Sequence, residues 1–351
     1  MAKKLGRSTY LFEKRPVILS SAAVGGEKER NGPLGKGFDF LDIDDTFGEK
    51  SWEQAENRMQ QLAMKTALQK AHVKRNDLDL IFAGDLLNQC TGSSYGLKEL
   101  GVPYLGLYGA CSTMAEGLLM AGVYIDAGLA GKAAVSASSH FCSAERQYRF
   151  PLEYGSQRPP TSQWTATASA AVILGKKEDL PLDETVWVEL VHASAGIIQD
   201  PLIRDANNMG AAMAPAAAAL FMRYFRESST APQDYDRIFT GDLGQIGSEL
   251  LYSLLARQNI RIGDRHNDCG LLLFDREHQD VHAGGSGAGC CGSVLSAYIL
   301  PELRAGRLSN VLFLATGALF SPTMVQQGLS IPGIAHLVHL RRCERKEENG
   351  C

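Results

Sequence analysis

The sequence predicts an α/β protein that consists of two duplicated α/β halves. Short apolar runs typical of buried strands alternate with longer segments whose apolar residues recur at helical spacing, which indicates a mostly parallel sheet with helices on its faces. The segment DLDLIFAGDL at residues 77–86 also returns as DYDRIFTGDL at residues 234–243, with seven identical positions at an offset of 157 residues (234 − 77). A repeat of this density indicates that one structural unit occurs twice.

The first half is predicted to hold five strands and three helices. The sequence SWEQ at residues 51–54 is a capping box that opens the first helix, and Gly128 ends the third. A Gly/Pro/Asp-rich loop at residues 25–48 follows the first strand. The predicted strands are residues 10–24, 78–83, 102–108, 133–138 and 165–174, and the predicted helices are residues 51–72, 93–100 and 114–127.

The second half repeats this pattern, so the predicted units are residues 1–175 and 176–340. A strand at residues 187–198 opens it, and a helix follows with Pro215 in its first turn. The sequence GAGC at residues 287–290 matches GACS at residues 109–112, which places a glycine, Gly289, where the first half has Cys111. The charged tail, residues 341–351, is predicted to be disordered.

Cys111 is the strongest candidate for chemistry in the first half. It lies between an apolar run predicted to be a buried strand, residues 102–108, and a helix, so free backbone N–H groups and the helix dipole favour its thiolate. The alternative is a small buried residue, because free cysteine packs as a hydrophobe. The local sequence supplies no base that would decide between the two.

Composition excludes several functional classes. A formal net charge of −4 and a pI near 6.1, with no cluster of basic and aromatic residues, disfavour nucleic-acid binding. The eight cysteines show no C-x-x-C pair and no metal-ligand spacing, so we expect reduced thiols and no zinc. No signal peptide is recognised, and the most apolar stretch, residues 209–222, is too short to span a bilayer.

A family resemblance covers nearly the whole chain. Two similar α/β halves with a cysteine in the first half only resemble the thiolase and ketoacyl synthase superfamily, which implies a thiolase-like fold with a layered αβαβα core. Within this superfamily, the sequence motifs of the chain resemble those of the stage V sporulation protein AD family. The motifs that carry this resemblance are GDLLNQ (84–89), GACST (109–113), SSH (138–140), AERQ (144–147), MAPAAA (213–218), HNDCG (266–270), AGGSG (283–287), ATGAL (315–319) and SIPGIAH (330–336).

The resemblance implies a function in the forming spore. A member of this family is expected to bind dipicolinic acid (pyridine-2,6-dicarboxylate), alone or as its calcium chelate, and to assist its uptake beside membrane-embedded sister subunits of the stage V sporulation protein A group. It would lie in the forespore or spore, peripheral to the inner membrane. A homodimer is expected because the superfamily forms close symmetric subunit contacts. No cofactor is expected.

The partners that superfamily enzymes use to activate their cysteine are missing from the expected positions. After the repeated strand the chain has Asp242, whose negative charge would raise the pKa of a nearby thiol. The glycine-rich run at residues 284–289 holds no imidazole or carboxamide, and Thr316 stands where thiolases have a second cysteine. His140 is the best remaining candidate for a base, although a structural histidine at such a position is the more common case.

A pocket for a small dianion needs less than catalysis does. Arginine suits carboxylates because its guanidinium donates two parallel hydrogen bonds, and Arg146 and Arg149 follow His140 on a predicted loop, residues 139–163, that also contains Pro151 and a Tyr154-Gly155 turn. The alternative for either arginine is a surface ion pair, for example with Glu145 or Glu153. The predicted ligand-binding residues are Cys111, Ser112, His140, Arg146, Arg149, Asp242 and Gly285, with no metal site.

Three functions are therefore compatible with the sequence. The preferred hypothesis is a binder of dipicolinate that uses a thiolase-type pocket without catalysis. The alternative is an acyltransferase that still acylates Cys111 with His140 as base. A scaffold for partner subunits with a vestigial pocket is also compatible with the sequence.

Overall fold

The computed structural model describes residues 2–149 and 157–345. Its strands are β1 (Lys3–Lys4), β2 (Thr9–Leu11), β3 (Val17–Gly25), β4 (Phe40–Leu41), β5 (Leu80–Gly84), β6 (Tyr104–Gly106), β7 (Ala133–Ser139), β8 (Trp164–Thr165), β9 (Ala168–Gly175), β10 (Val186–Ala195), β11 (Arg237–Thr240), β12 (His266–Asp268), β13 (Gly285–Ser286), β14 (Asn310–Ala318) and β15 (Gly333–Glu344). Its α-helices are α1 (Glu27–Arg30), α2 (Trp52–Lys70), α3 (Thr91–Leu97), α4 (Thr113–Ala127), α5 (Phe141–Tyr148), α6 (Met209–Ser228), α7 (Gly244–Ala256), α8 (Cys269–Leu273), α9 (Ala288–Val294), α10 (Leu300–Arg304) and α11 (Pro322–Gln326).

The strand order shows the duplication directly. From the middle of the large sheet outward, one half reads β3, β9, β7, β5, β6 and the other reads β10, β15, β14, β11, β12. Each strand thus has an equivalent at the same place in the other half, with β5 matching β11 and β7 matching β14. The two repeated decapeptides contain β5 and β11.

The sheet is mixed, so the prediction of a mostly parallel sheet was wrong. The strands β6, β5 and β7 are parallel, but β9 runs antiparallel to both β7 and β3. The second half repeats this arrangement, because β12, β11 and β14 are parallel and β15 is antiparallel to β14 and β10. Apolar periodicity indicates that a strand is buried and contains no information on its direction.

Five layers result from the way the helices cover the two halves of the sheet. The helices α4 and α9 lie between the halves, where α4 contacts β7 and β15, and a cluster of buried apolar residues fills this central layer. Helix α2 packs on the outer face of the first half, and α6 covers the second half together with α7. This arrangement is the αβαβα core that the resemblance implies.

Helix signals in the sequence were mostly confirmed. The Ser51 hydroxyl accepts from the Gln54 amide at 3.3 Å and opens α2, and Gly128 ends α4 in a left-handed conformation with φ 77°. Pro215, however, lies inside α6, which begins earlier at Met209. Asn208 accepts from the Ala211 amide and caps this helix, so proline is not needed in its first turn.

Three other elements differ from the predictions. The predicted loop at residues 139–163 contains α5, while Pro151, Glu153 and the Tyr154-Gly155 turn lie outside the described residues. The strand β6 is not buried, because it ends the sheet and exposes Leu105. The strand β15 runs to Glu344, so residues 341–344 belong to the sheet and not to a disordered tail, and residues 346–351 lie outside the described residues.

None of the helices within residues 2–149 and 157–345 combines the length and the apolar character needed to cross a bilayer.

Candidate functional site

Cys111 lies in a tight turn between β6 and α4. The turn is a single 3-10 helix, Ala110–Ser112, and Ala110 adopts the left-handed conformation (φ 52°) that non-glycine residues rarely use. This backbone aims the Cys111 side chain away from its own helix and toward the second half of the chain. Its sulfur lies 3.9 Å from the hydroxyl of Ser286 in β13.

The polar partner at the centre of the site is the buried carboxylate of Asp242, which follows β11. Its Oδ2 accepts from the Ser286 hydroxyl (2.8 Å) and the Gly287 amide (3.1 Å), and its Oδ1 accepts from the Thr316 hydroxyl (2.7 Å). We call Cys111, Asp242, Ser286 and Thr316 the Asp242 cluster. Asp242, the glycine-rich run and Thr316 occupy the positions where the superfamily resemblance places the partners of Cys111, and the structure brings all three together.

The two repeated aspartates do different work. Asp85 caps its own segment, because its carboxylate accepts from the Leu87 amide (2.9 Å) and the Ser93 amide (2.7 Å). In the second half that task falls to Asp268, which accepts from the amides of Leu243 (2.9 Å) and Gly244 (3.0 Å). Because Asp268 accepts from these amides, the Asp242 carboxylate does not cap this segment and lies beside Cys111.

The electrostatics of the site disfavour a thiolate. Burial raises the pKa of the Cys111 thiol well above its usual value, and the Asp242 carboxyl raises it further through its charge and through hydrogen bonding. Burial also raises the pKa of Asp242, while hydrogen bonds from Cys111, Thr316 and Ser286 oppose that shift. A nucleophilic cysteine needs the opposite environment.

Alkylation tests this environment. At pH 8 we expect iodoacetamide to label Cys111 slowly and Asp242→Asn to raise the rate severalfold, because removal of the carboxylate lowers the thiol pKa and increases the fraction of thiolate. Peptide mass spectrometry reports the rate at each cysteine. The partly exposed Cys142 is the internal control, and its rate should not change. Equal Cys111 rates in both proteins contradict a contribution of Asp242 to the raised thiol pKa.

A narrow pocket lies above Cys111. Its volume is about 30 Å³, roughly the share of one water molecule in liquid water. Arg149 lines it and forms the ion pair with Glu145 (2.5 Å) that was given as the alternative to ligand binding; it also donates to the Ala206 carbonyl (3.2 Å). The Tyr148 ring, which also lines the pocket, stacks on Phe320 with ring centroids 5.5 Å apart. The other lining residues, apart from Cys111 and Ser286, are small or apolar: Leu86, Ala110, Ala144, Thr165, Met209 and Ala318.

His140, a predicted ligand-binding residue, does not line this pocket. It is the N-cap of α5: its Nδ1 accepts from the Cys142 amide (3.2 Å) and its Nε2 donates to the Asp45 carbonyl (3.0 Å). Burial lowers the pKa of His140, which favours the neutral ring that these two bonds require. Both ring nitrogens are therefore committed to backbone groups, and the structural alternative describes this residue.

Arg146, Ser112 and Gly285 are also placed outside the pocket lining. The exposed Arg146 side chain forms a surface ion pair, and its partner is Glu53 instead of Glu145 or Glu153. The Ser112 hydroxyl donates to the Gly109 carbonyl at 2.6 Å, and its amide donates to the same oxygen. Gly285 contributes its carbonyl to the Gln163 amide group (2.7 Å), whereas its neighbour Ser286 reaches the site. Of the predicted residues, Cys111 and Arg149 line the pocket and Asp242 lies beneath it.

Three residues of the site were missed in the sequence. Ser286 lies inside the glycine-rich run and is its only side chain that can donate a hydrogen bond, a signal that could have identified it. Tyr148 was missed because its segment was predicted to be a loop, whereas it forms α5. Gln163, whose amide bridges the carbonyls of Asp242 and Gly285 at 2.7 Å each, gives no local signal because its partners are distant in sequence.

The equivalent position in the second half cannot hold a side chain. A Cβ atom on Gly289 would lie 2.0 Å from the Ala168 carbonyl oxygen, which belongs to the backbone of β9 and has no room to move. The amide of Gly289 instead donates to the Ser139 hydroxyl (3.1 Å). The absence of a second cysteine is thus a requirement of packing.

The fold and the cysteine turn define a thiolase-like protein. Among solved structures, 3-oxoacyl-[acyl-carrier-protein] synthase III of Aquifex aeolicus VF5 is 13% identical, with a TM-score of 0.55 over 93% of this chain and 99% of that one. Cerulenin-bound OleA of Xanthomonas campestris is 14% identical, with a TM-score of 0.58 over 94% and 98% of the two chains. Identities this low establish the fold and nothing finer.

Sequence comparison narrows this class to one family. The family model for stage V sporulation protein AD matches residues 6–341. Stage V sporulation protein AD of Bacillus subtilis (strain 168) is 41% identical over 340 residues, which cover 97% of this chain and 98% of that protein. The chain belongs to the stage V sporulation protein AD family and is a sporulation protein of thiolase-like fold.

Proposed function

We propose that this protein binds dipicolinic acid in the pocket above Cys111 and assists its uptake into the developing spore. The observation that carries the proposal is the identity of the groups around Cys111. The positions that would activate this thiol hold a carboxylate and two hydroxyl groups. The same pocket has a cation, Arg149, at its wall. Such a site suits recognition of a small anion better than acyl transfer.

Each part of the ligand has a matching group. A guanidinium donates two parallel hydrogen bonds to one carboxylate, and Arg149 can turn from Glu145 to do so. Once the pocket opens, the pyridine ring can pack against apolar walls that include the rings of Tyr148 and Phe320. The second carboxylate can accept from the Ser286 hydroxyl when that hydroxyl turns away from Asp242 Oδ2, to which it donates in the unliganded structure.

The ligand requires the pocket to open. A ring with two carboxylates is several times larger than the 30 Å³ available. Tyr148, Met209 and Phe320 are the lining residues that can give way, because each lies at or beyond the end of a helix or strand: α5 ends at Tyr148, α6 begins at Met209, and Phe320 follows β14. Dipicolinate binding is thus expected to be accompanied by movement of these side chains.

A thermal-shift titration tests the proposal. Dipicolinate at about 100 times its dissociation constant should stabilise the native state by about 2.7 kcal/mol, because the ligand binds only the folded chain. Pyridine-2-carboxylate, which lacks one carboxylate, is the matched control and should give a smaller shift. No shift at millimolar dipicolinate would contradict the proposal.

The arginine assignment gives a sharper prediction. Arg149→Gln should weaken dipicolinate binding about tenfold or more, because a charge-assisted pair of hydrogen bonds is lost. Isothermal titration calorimetry measures the change. Arg146→Gln removes the same charge from the same segment and should leave affinity within about twofold, since Arg146 is paired with Glu53 at the surface.

The Arg149→Gln substitution also affects Glu145, so it needs a control. Arg149→Gln leaves Glu145, which is buried, without its cation. The double variant Glu145→Gln, Arg149→Gln keeps a neutral hydrogen-bonding pair and should show the same loss of affinity. Equal affinity in the Arg149 and Arg146 variants would remove Arg149 from the site.

The acyltransferase alternative has its own test. After incubation with acetyl-coenzyme A, intact-protein mass spectrometry should show no acyl adduct on Cys111. A stable adduct that disappears in Cys111→Ala would establish acyl transfer and overturn the binding-only proposal.

A homodimer is part of the proposal. The strand β6 ends the sheet and exposes Leu105, with Tyr95 and Tyr108 also exposed nearby in the sequence. A free strand edge of this kind pairs readily with a second copy. Sedimentation velocity should give a particle of twice 38.0 kDa, and Leu105→Lys should shift it to the monomer without changing the circular dichroism spectrum.

The protein is proposed to act peripherally at the inner membrane of the forespore, beside membrane-embedded sister subunits. Calcium would enter as the dipicolinate chelate, since no cluster of three or more metal-ligating side chains occurs in the described part of the chain. Fractionation of sporulating cells should find the protein with the membrane, and deletion of the membrane-embedded subunits should release it.

A further inference from the structure

A second cavity lies at the opposite end of β11 from Asp242. It is bounded by the last turn of α7, residues 260–265 and the start of β11, and its volume is about 750 Å³. Three arginines line it: Arg237, Arg261 and Arg265. No part of the dipicolinate proposal uses this cavity.

The three guanidinium groups have most of their donors available. Arg265 donates to the Tyr235 carbonyl (2.8 Å), and Arg237 donates to the carbonyls of Asp264 (3.3 Å) and Asp236 (3.4 Å). Arg261 makes no hydrogen bond to any residue that the structure describes, and none of the three arginines has an ion pair there. Each guanidinium carries five N–H donors, so the few backbone contacts orient the side chains and leave the other donors to a ligand.

The lining has a net positive charge and one apolar wall. Three arginines face a single acidic residue, Asp264, which gives a formal charge of +2 (three positive minus one negative). Tyr252, Ala256 and Ile260 form the wall beside them. The Tyr252 hydroxyl is hydrogen-bonded to His266 Nδ1 at 2.7 Å, which fixes the ring in place.

We propose that this cavity binds a compact phosphate-bearing anion, either a small phosphorylated molecule or the headgroup of an anionic phospholipid. Arginine is the residue best matched to phosphate, because its planar fork binds two oxygens at once. Three such forks around one cavity fit a group with several equivalent oxygens. The apolar wall accommodates the organic part to which a phosphate is attached.

Pyrophosphate is the probe for the soluble ligand. Calorimetric titration of the full-length protein should show saturable binding, and the triple variant Arg237→Gln, Arg261→Gln, Arg265→Gln should weaken it at least about tenfold. Arg261→Gln alone should weaken it severalfold without affecting folding, because Arg261 has no hydrogen bond in the described structure to lose.

A matched triple variant controls for charge. Arg58→Gln, Lys65→Gln, Lys74→Gln also removes three exposed positive charges, from α2 and the segment that follows it, and should leave pyrophosphate affinity within about twofold. Equal losses in the two triple variants would show general charge attraction and overturn the proposal. A loss of dipicolinate binding instead of pyrophosphate binding in the arginine variant would also overturn it.

Vesicle sedimentation separates the two sources of phosphate. Binding to vesicles of phosphatidylglycerol and phosphatidylcholine, absent with phosphatidylcholine alone and lost in the arginine variant, assigns the cavity to a lipid headgroup. Pyrophosphate binding without vesicle binding assigns it to a small phosphorylated molecule. Failure of both probes to bind overturns the proposal, whatever the outcome of the dipicolinate titration at Cys111.

Discussion

Asp242→Ala is expected to lower the free energy of unfolding by about 3–5 kcal/mol, because three buried donors lose their acceptor at once. These donors are the hydroxyl groups of Ser286 and Thr316 and the amide of Gly287. Asp242 is fully buried, so these donors lie away from bulk solvent. Urea denaturation followed by circular dichroism measures the change.

Two variants show whether the effect belongs to Asp242. Asp242→Asn keeps one oxygen acceptor and should cost about 2 kcal/mol or less. Asp275→Ala removes an exposed aspartate that also accepts backbone hydrogen bonds, and it should cost about 1 kcal/mol or less. An Asp242→Ala protein within 1 kcal/mol of the native one would mean that the Asp242 cluster does not stabilise the fold.

Raising the pH from 6.5 to 8 is expected to reduce the free energy of unfolding by about 3 kcal/mol. Burial raises the pKa of Glu29 to about 8 and that of Asp268 to about 7, and it also raises the pKa of Glu56. The folded chain therefore keeps protons that the unfolded chain has already released above its ordinary carboxyl pKa. Stability from these groups is present at low pH and is lost as the pH rises through their folded pKa values.

Buried histidines produce the opposite slope on the acid side. Burial lowers the pKa of His192, His266 and His336 to about 4 and that of His339 to about 3. Below about pH 6.5 the unfolded chain gains protons that these folded residues do not accept, so their contribution is lost as the pH falls. The buried carboxyls make the free energy of unfolding fall as the pH rises, and the buried histidines make it fall as the pH drops below 6.5. The two effects together place the stability maximum near pH 5 to 6.5.

Urea midpoints measured from pH 4 to 8 test this profile. Glu29→Gln cannot titrate, so it should remove about 1–2 kcal/mol of the loss between pH 6.5 and 8. A free energy of unfolding that rises from pH 6.5 to 8 would contradict the assignment of buried neutral carboxyls.

The sequence predicted the duplicated architecture better than the details of either half. Repetition of the segment around Asp85 and Asp242 was enough to place equivalent strands, and Gly128 marked the end of α4 because a left-handed residue is required there. Strand direction and the exposure of Leu105 depend on which strands become neighbours. Those choices are made by long-range packing, which local periodicity does not report.

The site was predictable where the repeat defined it and unpredictable elsewhere. Asp242 and Thr316 were placed near Cys111 because the first half fixed their positions in the fold. Arg146 and Arg149 could not be separated, since their partners lie far away in the chain: Glu53 holds one at the surface, and the Ala206 carbonyl helps to hold the other at the pocket. The capping role of His140 likewise depends on the Asp45 carbonyl, which is 95 residues distant.

The close approach of Gly289 to the Ala168 carbonyl has a consequence for stoichiometry. A duplicated chain could in principle present two equivalent cavities, and a symmetric dimer would then offer four. Since the backbone of β9 occupies the space that a side chain at Gly289 would need, the second copy of the turn cannot acquire a cysteine by a single substitution. Ligand counting at the thiol pocket should therefore saturate at one molecule per polypeptide.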